Sequence, residues 1–301
     1  MPVSLTGGNW NEADRYVYFL ACGGGELDDL VVDGGLIHKH LLIAVNEIND
    51  SIEKRMAEAE ALGAKWFIDS GIFHLTNEHM RAHGIRMDEA LALAPDEIDG
   101  FGELFEKYIA VARRWQDRCW AYIELDQGGR ENKIKTRARL ESLGLRPMPV
   151  YHPFNDGWDY FDYLAERYDR ICIGNVVQAS ARVRLRLLAT IWQRKQKYPA
   201  LWVHFLGLTP NQMLNAYPVD SGDSSTWLAA NRWKGAREKA MLKTIGDLPD
   251  SLQYAVGNQE MRHKGISLSA VQSDVMVRFY RYHIEALGRY GCAPYPREVA
   301  G

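Results

Sequence analysis

The sequence is poor in cysteine and lacks the close cysteine spacings that bind metals. Its four cysteines, Cys22, Cys119, Cys172 and Cys292, lie far apart in the 301-residue chain. This separation excludes a metal site of the CxxC type built by sequence neighbours. The first three lie in or beside apolar runs, so we interpret them as buried free thiols rather than as disulfides.

Long apolar runs, a targeting segment and a large net charge are also missing. No apolar run approaches the length needed to cross a bilayer. Residues 1–11 lack a basic segment followed by an apolar one, so no signal peptide is predicted and we expect a cytoplasmic protein. The net charge is −3 with 25% charged residues. This balance excludes nucleic-acid binding over the whole surface, so any such site must be a local basic face.

The nine histidines show no pattern typical of metal ligands. His79 and His83 have the i, i+4 spacing of a helical metal pair, but no Glu follows His79, so the metalloprotease motif is absent. We interpret these two residues, and the pair His38 and His40, as surface residues. The sequence therefore predicts no metal site and no cofactor.

Short apolar runs alternate with helical patterns along the chain. Eight strands alternating with helices predict an α/β fold of the (β/α)₈ TIM-barrel type. An open doubly wound sheet is the alternative, but the glycines at 23–25 after the first strand do not match GxGxxG. We expect one barrel domain over residues 1–301, with insertions near 76–97 and 229–265. The strands are predicted at residues 16–21, 41–45, 66–68, 119–125, 149–152, 170–173, 201–206 and 217–219.

Polar residues and glycines follow several of these predicted strands. Catalytic residues of such barrels come from the carboxyl ends of the strands, so we expect these residues to meet at one mouth. Taken singly, the carboxylates and histidines among them are equally typical of turns, helix caps or satisfied strand ends. The residues are Asp69, Asp126, His152, Gly174, Asn175, His204, Gly207, Asp220 and Asp223.

Two of these positions carry more specific expectations. Glu124 alternates with Asp126 in the predicted fourth strand, so the two side chains are expected to share a face, with Asp126 at the rim as the better functional candidate. Asp220 and Asp223 lie three residues apart among small residues, after the predicted eighth strand. Their spacing suits a nucleophile with a supporting charge. The alternative is a solvated loop rich in Ser and Asp.

A basic cluster follows this carboxylate pair. Trp227 and Trp233 alternate with its cationic residues, as expected of a groove that follows phosphates and stacks on bases. The cluster comprises Arg232, Lys234, Arg237 and Lys239. Two other basic clusters, within residues 130–139 and 182–186, are interpreted as solvated helix faces.

Several of these segments resemble the tRNA-guanine transglycosylases. Asp69-Ser70-Gly71, followed by Phe73, is similar to the Asp-Ser-Gly-Gly-(Phe/Tyr)-Gln segment of that family. Leu206-Gly207 resembles its Met-Gly before the eighth strand, and the segment at Gly174 resembles its glycine turn at the base. Residues 219–223, Val-Asp-Ser-Gly-Asp, resemble its Val-Asp-x-x-Asp, whose second Asp is the family's nucleophile.

The chain departs from that family at three points. Ile72 replaces the second Gly of the first motif, and His74 replaces its Gln. The Cys-x-Cys-x-x-Cys zinc site of the family is absent from the sequence. Asp-Ser-Ser-Thr-Trp at 223–227 and the short length instead resemble the phage and bacterial branch that acts on DNA.

That resemblance implies exchange of guanine in DNA for a 7-deazaguanine such as 7-cyano-7-deazaguanine. The implied partners are guanine-containing DNA and a free 7-deazaguanine base, with tRNA less favoured, and the compartment is the host cytoplasm if the chain is phage-encoded. Asp223 would be the nucleophile, supported by Asp220, and Asp69 the general acid and base. The implied base-binding residues are Asp126, Ser70, Gly71, His152, Gly174, Asn175 and Gly207, and those for nucleic acid are Arg232, Lys234, Arg237, Trp227 and Trp233.

Three alternatives remain open at this stage. One is a tRNA-guanine transglycosylase, and another is a nucleoside or glycoside hydrolase on the same barrel, since such hydrolases also use paired carboxylates. The third is a non-catalytic barrel that binds nucleic acid. The choice of nucleophile between Asp220 and Asp223 is open as well.

Overall fold

Eight parallel strands lie in one curled sheet in the computed structural model, which describes residues 16–32, 34–177, 179–211 and 213–228. A two-stranded antiparallel hairpin, β2–β3, lies beside it. The chain within these ranges is therefore of the α/β class. The strands are β1 Val17–Ala21, β2 Val31–Val32, β3 Gly35–Leu36, β4 His40–Ala44, β5 Lys65–Asp69, β6 Ala121–Tyr122, β7 Val150–Tyr151, β8 Arg170–Ile173, β9 Trp202–Phe205 and β10 Ser221–Ser224.

Helices connect the successive strands of the large sheet. None of the helices in the described ranges is long and apolar enough to cross a membrane. Within those ranges they are α1 Leu27–Leu30, α2 Asp50–Ala61, α3 Ile72–His83, α4 Met87–Ala92, α5 Phe101–Trp115, α6 Gly129–Ser142, α7 Trp158–Arg167, α8 Ala181–Lys195 and α9 Met213–Ala216.

The strand order of the large sheet is β6-β5-β4-β1-β10-β9-β8-β7. In this sheet, strands that follow one another in the chain are paired, except for β6 and β7, which form its two edges. The first strand, β1, also pairs with the last, β10, where Phe19 lies opposite Asp223. The outer strands β6 and β7 approach each other through a parallel bridge between Ile123 and Met148. Met148 donates its N–H to the Tyr122 carbonyl at 2.7 Å, and Glu124 donates its N–H to the Met148 carbonyl at 3.0 Å.

The two faces of the curled sheet pack differently. The convex face packs against the amphipathic helices, with α2 and α5 over one half of the sheet and α7 and α8 over the other. The concave face is filled by side chains from the strands and their ends, without a helical residue in the cluster. This concave cluster contains Val17, Phe19, Leu42, Phe67, Trp120, Val150, Cys172 and Trp202, among others.

Seven of the eight strand predictions are confirmed, with boundaries that shift by a few residues. The largest shift concerns the fourth, which is ordered as strand over Ala121–Tyr122 and not over 119–125. The eighth prediction is wrong because residues 217–219 form no strand, and the strand is Ser221–Ser224 itself. A side chain at Gly222 would meet the Tyr16 hydroxyl at 2.2 Å and the Leu208 carbonyl at 3.0 Å, so only a very small residue fits there.

Two predictions about the outer segments also need correction or restriction. Residues 76–97, interpreted as an insertion, hold the larger part of α3 and the whole of α4. The second expected insertion, at 229–265, lies outside the described residues. The three cysteines expected to be buried free thiols, Cys22, Cys119 and Cys172, are confirmed as such.

The prediction of a solvated face on α6 is wrong for two of its basic residues, whereas the others in the cluster are at least partly exposed. Lys133 is fully buried and pairs with Asp156, and Arg137 is buried and donates to Glu124 at 2.8 Å. Both cations lie one helical turn apart on the side of α6 that faces the sheet. A charge pattern alone does not distinguish such internal pairs from a surface face.

Candidate functional site

The carboxyl ends of three strands bring polar groups together at one end of the concave face. Asp69 is two residues after Phe67, and His152 is two residues after Val150. Because side chains alternate between the faces of a strand, both point to the same side as the concave cluster. Asp223 follows the same rule within β10, where Ser221 and Asp223 share the concave side with His204 of β9.

Asp223 is held by two donors on one of its carboxylate oxygens. The Nε2 atom of His204 lies 3.0 Å from Oδ1, and the backbone N–H of Gly207 donates to the same oxygen at 3.1 Å. Both hydrogen bonds go to Oδ1, so Oδ2 is left for another contact. Gly207 has a left-handed φ of 70°, and a side chain there would meet Val177 at 2.3 Å, so the close approach of its amide depends on glycine.

A chain of three hydrogen bonds fixes the tautomer of His204. The indole N–H of Trp202 donates to the Ser221 hydroxyl oxygen at 2.6 Å, and Ser221 Oγ lies 2.8 Å from His204 Nδ1. Since indole is only a donor, the Ser221 hydroxyl has its own proton left to donate to Nδ1. Nε2 of His204 then carries the ring proton and donates it to Asp223.

Asp220 points away from this site. Its Oδ2 lies 3.3 Å from the Nζ atom of Lys195 on α8 and accepts the backbone N–H of Val203 at 2.8 Å. Both charged groups are almost fully buried on the convex side of the sheet. The expectation that Asp220 supports Asp223 directly does not match this placement, because three residues along a strand reverse the facing of the side chain.

Asp69 ends β5 and begins the tight turn into α3. Its Oδ2 accepts the backbone N–H of Gly71 at 3.2 Å, and Ser70 Oγ accepts the N–H of Ile72 at 3.4 Å. Burial raises the pKa of Asp69 to about 7, and the charges of Asp126 and Asp223 act in the same direction against the Gly71 hydrogen bond. This carboxyl group therefore changes protonation near neutral pH, as a general acid and base requires.

Asp126 forms an ion pair with His152 at the mouth of the concave face. His152 Nε2 lies 2.7 Å from Asp126 Oδ2. Burial acts to raise the pKa of Asp126, but the hydrogen bond and charge of His152 outweigh it, and the net pKa is lowered. A Cβ atom on Gly174 would lie 3.0 Å from the His152 ring, so glycine at this position leaves room for the pair.

Glu124 does not share the face of Asp126, and that prediction is wrong. Glu124 accepts from Arg137 on α6 at 2.8 Å and from the backbone N–H of Val150 at 2.7 Å. Ile123 belongs to the concave cluster, so the alternation holds as far as Glu124, and it is lost between Glu124 and Asp126, where Leu125 also packs on the helix side.

The buried thiol of Cys172 is affected by the charges of all three concave-side carboxylates. Cys172 lies on β8 within the concave cluster. Burial raises the pKa of the Cys172 thiol well above its usual range, and the charges of Asp223, Asp126 and Asp69 raise it further. The three carboxylates therefore act on one place despite their separation in the sequence.

The remaining predicted base-binding residues differ in exposure. Ser70 is buried in the turn after β5, whereas Asn175 is exposed after β8 and has a left-handed φ of 58°. Gly71, also left-handed with φ 80°, lies against Asn46. All three lie in segments that follow β5 or β8, close in sequence to Asp69 and Gly174.

The predicted nucleic-acid residues fall into two groups. Trp227 is 0% exposed, packs in the core under the helices and donates its indole N–H to the Ala21 carbonyl at 2.9 Å. It is therefore not a stacking platform, and that prediction is wrong. The residues Trp233, Arg232, Lys234 and Arg237 lie outside the described part of the chain.

Two histidines interpreted as surface residues are at least partly buried. His79 is only 7% exposed, and the Nε2 atom of His38 lies 2.7 Å from the Tyr18 carbonyl. Burial lowers the pKa of His38 to about 4, against the Tyr18 hydrogen bond. Trp202 and Ser221 were also missed as partners of His204. The signal that could have found them is the two-residue spacing between Trp202 and His204 and between Ser221 and Asp223.

A comparison of the chain with models of known protein families and with curated proteins finds no significant match. Inference of the function therefore depends on the geometry of the site and on the motifs in the sequence.

Proposed function

We propose that this protein is a base-exchange transglycosylase, which replaces guanine in DNA with a 7-deazaguanine through a covalent Asp–sugar intermediate. The incoming base would be 7-cyano-7-deazaguanine or a derivative. One observation carries the proposal. The Asp223 carboxylate is held through Oδ1 with Oδ2 left over, at the same end of the sheet as Asp69, whose pKa is about 7.

We also infer that the curled sheet closes into a (β/α)₈ barrel. The strands follow one another around the sheet in chain order, and β1 pairs with β10. The bridge between Ile123 and Met148 and its two backbone hydrogen bonds join the outer strands. Catalytic groups at the carboxyl ends of the strands are typical of that architecture.

The first half-reaction breaks the bond between the sugar and guanine. The target nucleotide must leave the base stack before its glycosidic bond is accessible. Asp223 Oδ2 attacks C1′ of the deoxyribose, a C–O bond forms, and the C1′–N9 bond breaks with its electron pair moving to guanine. Protonated Asp69 gives its proton to the departing base, which leaves as neutral guanine.

The second half-reaction reverses these steps with a different base. The Asp69 carboxylate removes the N9 proton of the bound 7-deazaguanine, and N9 attacks C1′. The ester bond to Asp223 breaks, and its electron pair returns to the carboxylate. His204 keeps its proton on Nε2 throughout and stabilises the Asp223 carboxylate at the start and the end of the cycle.

Asp126 is proposed to bind the hydrogen-bonding edge of the base. Its lowered pKa keeps it ionised, so it accepts N–H groups of guanine or of a 7-deazaguanine, which share that edge. His152 donates to Oδ2 and orients the carboxylate.

The choice of DNA is supported by the Asp-Ser-Ser-Thr-Trp motif at 223–227. In this motif the Ser224 hydroxyl and the Thr226 hydroxyl both bond to Thr209, at 2.9 and 2.6 Å, and Trp227 anchors the segment in the core. The motif thus fixes the chain that leads from the nucleophile into the basic segment. Arg232, Lys234 and Arg237 of that segment are proposed to hold the phosphates that flank the flipped nucleotide.

The proposal is tested by incubating the full chain with duplex DNA and an isotope-labelled 7-deazaguanine. The DNA is then digested to nucleosides and analysed by mass spectrometry. We expect the label in a modified deoxynucleoside and an equal amount of free guanine in solution. Release of guanine without incorporation would indicate a hydrolase, and labelling of tRNA but not of DNA would overturn the substrate while preserving the chemistry.

A further inference from the structure

Three metal-binding side chains meet at the carboxyl end of α3, outside the site described above. They are His79, His83 and Asp99, and their ligand atoms all lie within 4.8 Å of one another. Nδ1 of His79 lies 3.1 Å from Asp99 Oδ2, and Nε2 of His83 lies 2.6 Å from the same oxygen. The cluster thus offers two imidazole nitrogens and one carboxylate oxygen to a single point.

The fold arranges this cluster through two elements that are distant in sequence. His79 and His83 are one helical turn apart, and their ring centroids are separated by 4.2 Å. Asp99 belongs to the turn that enters α5, where Gly100 adopts a left-handed φ of 78°. The helix α3 ends at His83, and the carbonyl end of a helix favours a positive charge.

The Nδ1 atom of His79 has two polar neighbours in the cluster, the Asp99 carboxylate oxygen at 3.1 Å and the backbone N–H of Asp99 at 3.2 Å. A protonated Nδ1 donates to the carboxylate, and an unprotonated Nδ1 accepts from the N–H, so each tautomer satisfies only one of the two contacts. A cation bound to Nδ1 would replace the hydrogen bond from the N–H, and the carboxylate oxygen beside it would coordinate the same ion.

We infer that these three residues form a binding site for a divalent transition metal, with Zn²⁺ as the best match. Two imidazoles and one carboxylate are typical ligands of zinc, whereas calcium and magnesium prefer all-oxygen sites. The exposed fraction is 7% for the His79 side chain, 49% for His83 and 70% for Asp99. The buried imidazole anchors the site, and the exposed side leaves a fourth position to water.

The site would fix the segment that carries α4 against the rest of the fold. A metal bound to His83 and Asp99 closes the loop between them, which contains the whole of α4. The carbonyls of Ala90 and Leu93, at the end of α4, accept the side-chain amide of Gln127 at 2.8 and 2.9 Å. Gln127 directly follows Asp126. The segment held by the metal would therefore contact the residue next to one of the concave-side carboxylates.

The test uses the full chain, stripped of metal with a chelator and titrated with Zn²⁺ by calorimetry in the presence of a competing chelator. We expect one bound ion per chain and a rise in the melting temperature on binding. His83→Ala and Asp99→Asn, at exposed positions that leave the fold intact, are each expected to weaken binding by about tenfold or more. His74→Ala is the matched control, because His74 lies on the same helix, pairs with Glu78 and has no place in the cluster.

Two results would overturn the inference. One is a wild-type chain that binds Zn²⁺ no more tightly than His83→Ala or Asp99→Asn does. The other comes from Co²⁺ substitution, where a thiolate charge-transfer band would move the site to a cysteine. Weak d–d bands of a nitrogen- and oxygen-ligated ion, lost in both variants and kept in His74→Ala, would support it.

Discussion

The buried acidic residues on the two faces of the sheet have different kinds of partner. On the convex face, each of three acids has a buried cation as its partner. Asp220 pairs with Lys195, Asp156 with Lys133 and Glu124 with Arg137. On the concave face, none of the described Lys or Arg residues forms an ion pair with Asp69, Asp126 or Asp223, whose partners are histidines and backbone amides.

This difference separates acids that hold the fold from acids that are available for chemistry. A carboxylate neutralised by a buried cation is locked in place, and removing either partner leaves an isolated charge. A carboxylate held by histidines and backbone amides is not locked by such a cation, so it can still change its partner or its protonation. Asp220 directly precedes β10 and Asp223 lies within it, and the two fall on opposite sides of this division.

The largest expected effect comes from Asp223→Asn. Loss of the nucleophile should lower the rate of base exchange by about 10⁴-fold or more, because Asp223 supplies the oxygen that forms the sugar ester. The rate is measured as labelled 7-deazaguanine incorporated into duplex DNA. Circular dichroism of the variant checks that the fold survives, and residual exchange near the wild-type rate would break the assignment of roles to the two faces.

Asp220→Asn should affect stability rather than chemistry. The substitution removes the carboxylate charge that lies 3.3 Å from the buried Lys195 ammonium, which lowers the free energy of unfolding by about 3–5 kcal/mol. Urea denaturation of wild type and variant gives this difference. Below the melting temperature of the variant, we expect the covalent step to proceed at close to the wild-type rate, and its abolition there would transfer the catalytic role to Asp220.

The pH dependence of the first half-reaction sharpens the role of Asp69. The acid must be protonated to release guanine, and its pKa is about 7. The rate of guanine release in a single turnover should therefore be constant well below pH 7 and fall about tenfold per pH unit above it. Asp69→Asn should be slow and should lack this descending limb; a limb that persists unchanged in the variant would point to another acid.

The smallest expected effect is on the stability of the fold, and it comes from the titration of Asp69. A carboxyl group whose pKa is raised on folding binds its proton more tightly in the folded state, so stability falls as pH rises from about 4 to about 7. Above pH 7 the full cost of the buried charge is present. Asp69→Asn removes this cost and should raise the free energy of unfolding by up to about 4 kcal/mol at pH 8, with little difference at pH 4. Thermal unfolding at the two pH values tests this sign.

Much of the sheet was predictable from the sequence because most of its strands are apolar runs. The run at 170–173 matches β8 residue for residue, and the polar residues after the third and fifth strands lie at the concave mouth. Strand β10 was missed because Ser221-Gly222-Asp223-Ser224 is small and polar, although all four residues are buried. Its burial comes from neighbouring strands and aromatic side chains, which a local pattern does not contain.

The placement of Asp220 and Asp223 on opposite faces of the sheet was also not predictable from local sequence patterns. The spacing of Asp220 and Asp223 suggested a cooperating pair, since their region was expected to be a loop and not a strand. Once the strand is present, its alternation sends one carboxylate to Lys195 and the other to His204. In the same way, Lys133 and Arg137 of α6 and the indole of Trp227 are buried because of tertiary packing and not because of their sequence neighbours.

The most direct test of the central claim is to locate the covalent bond between the protein and DNA. The protein is mixed with guanine-containing duplex DNA without an incoming base, quenched with acid, digested, and the sugar-linked peptide is sequenced by mass spectrometry. We expect a deoxyribose adduct on Asp223, absent from Asp223→Asn and present in Asp220→Asn. An adduct on Asp220 or Asp69, or exchange of bases without any adduct, would contradict the account.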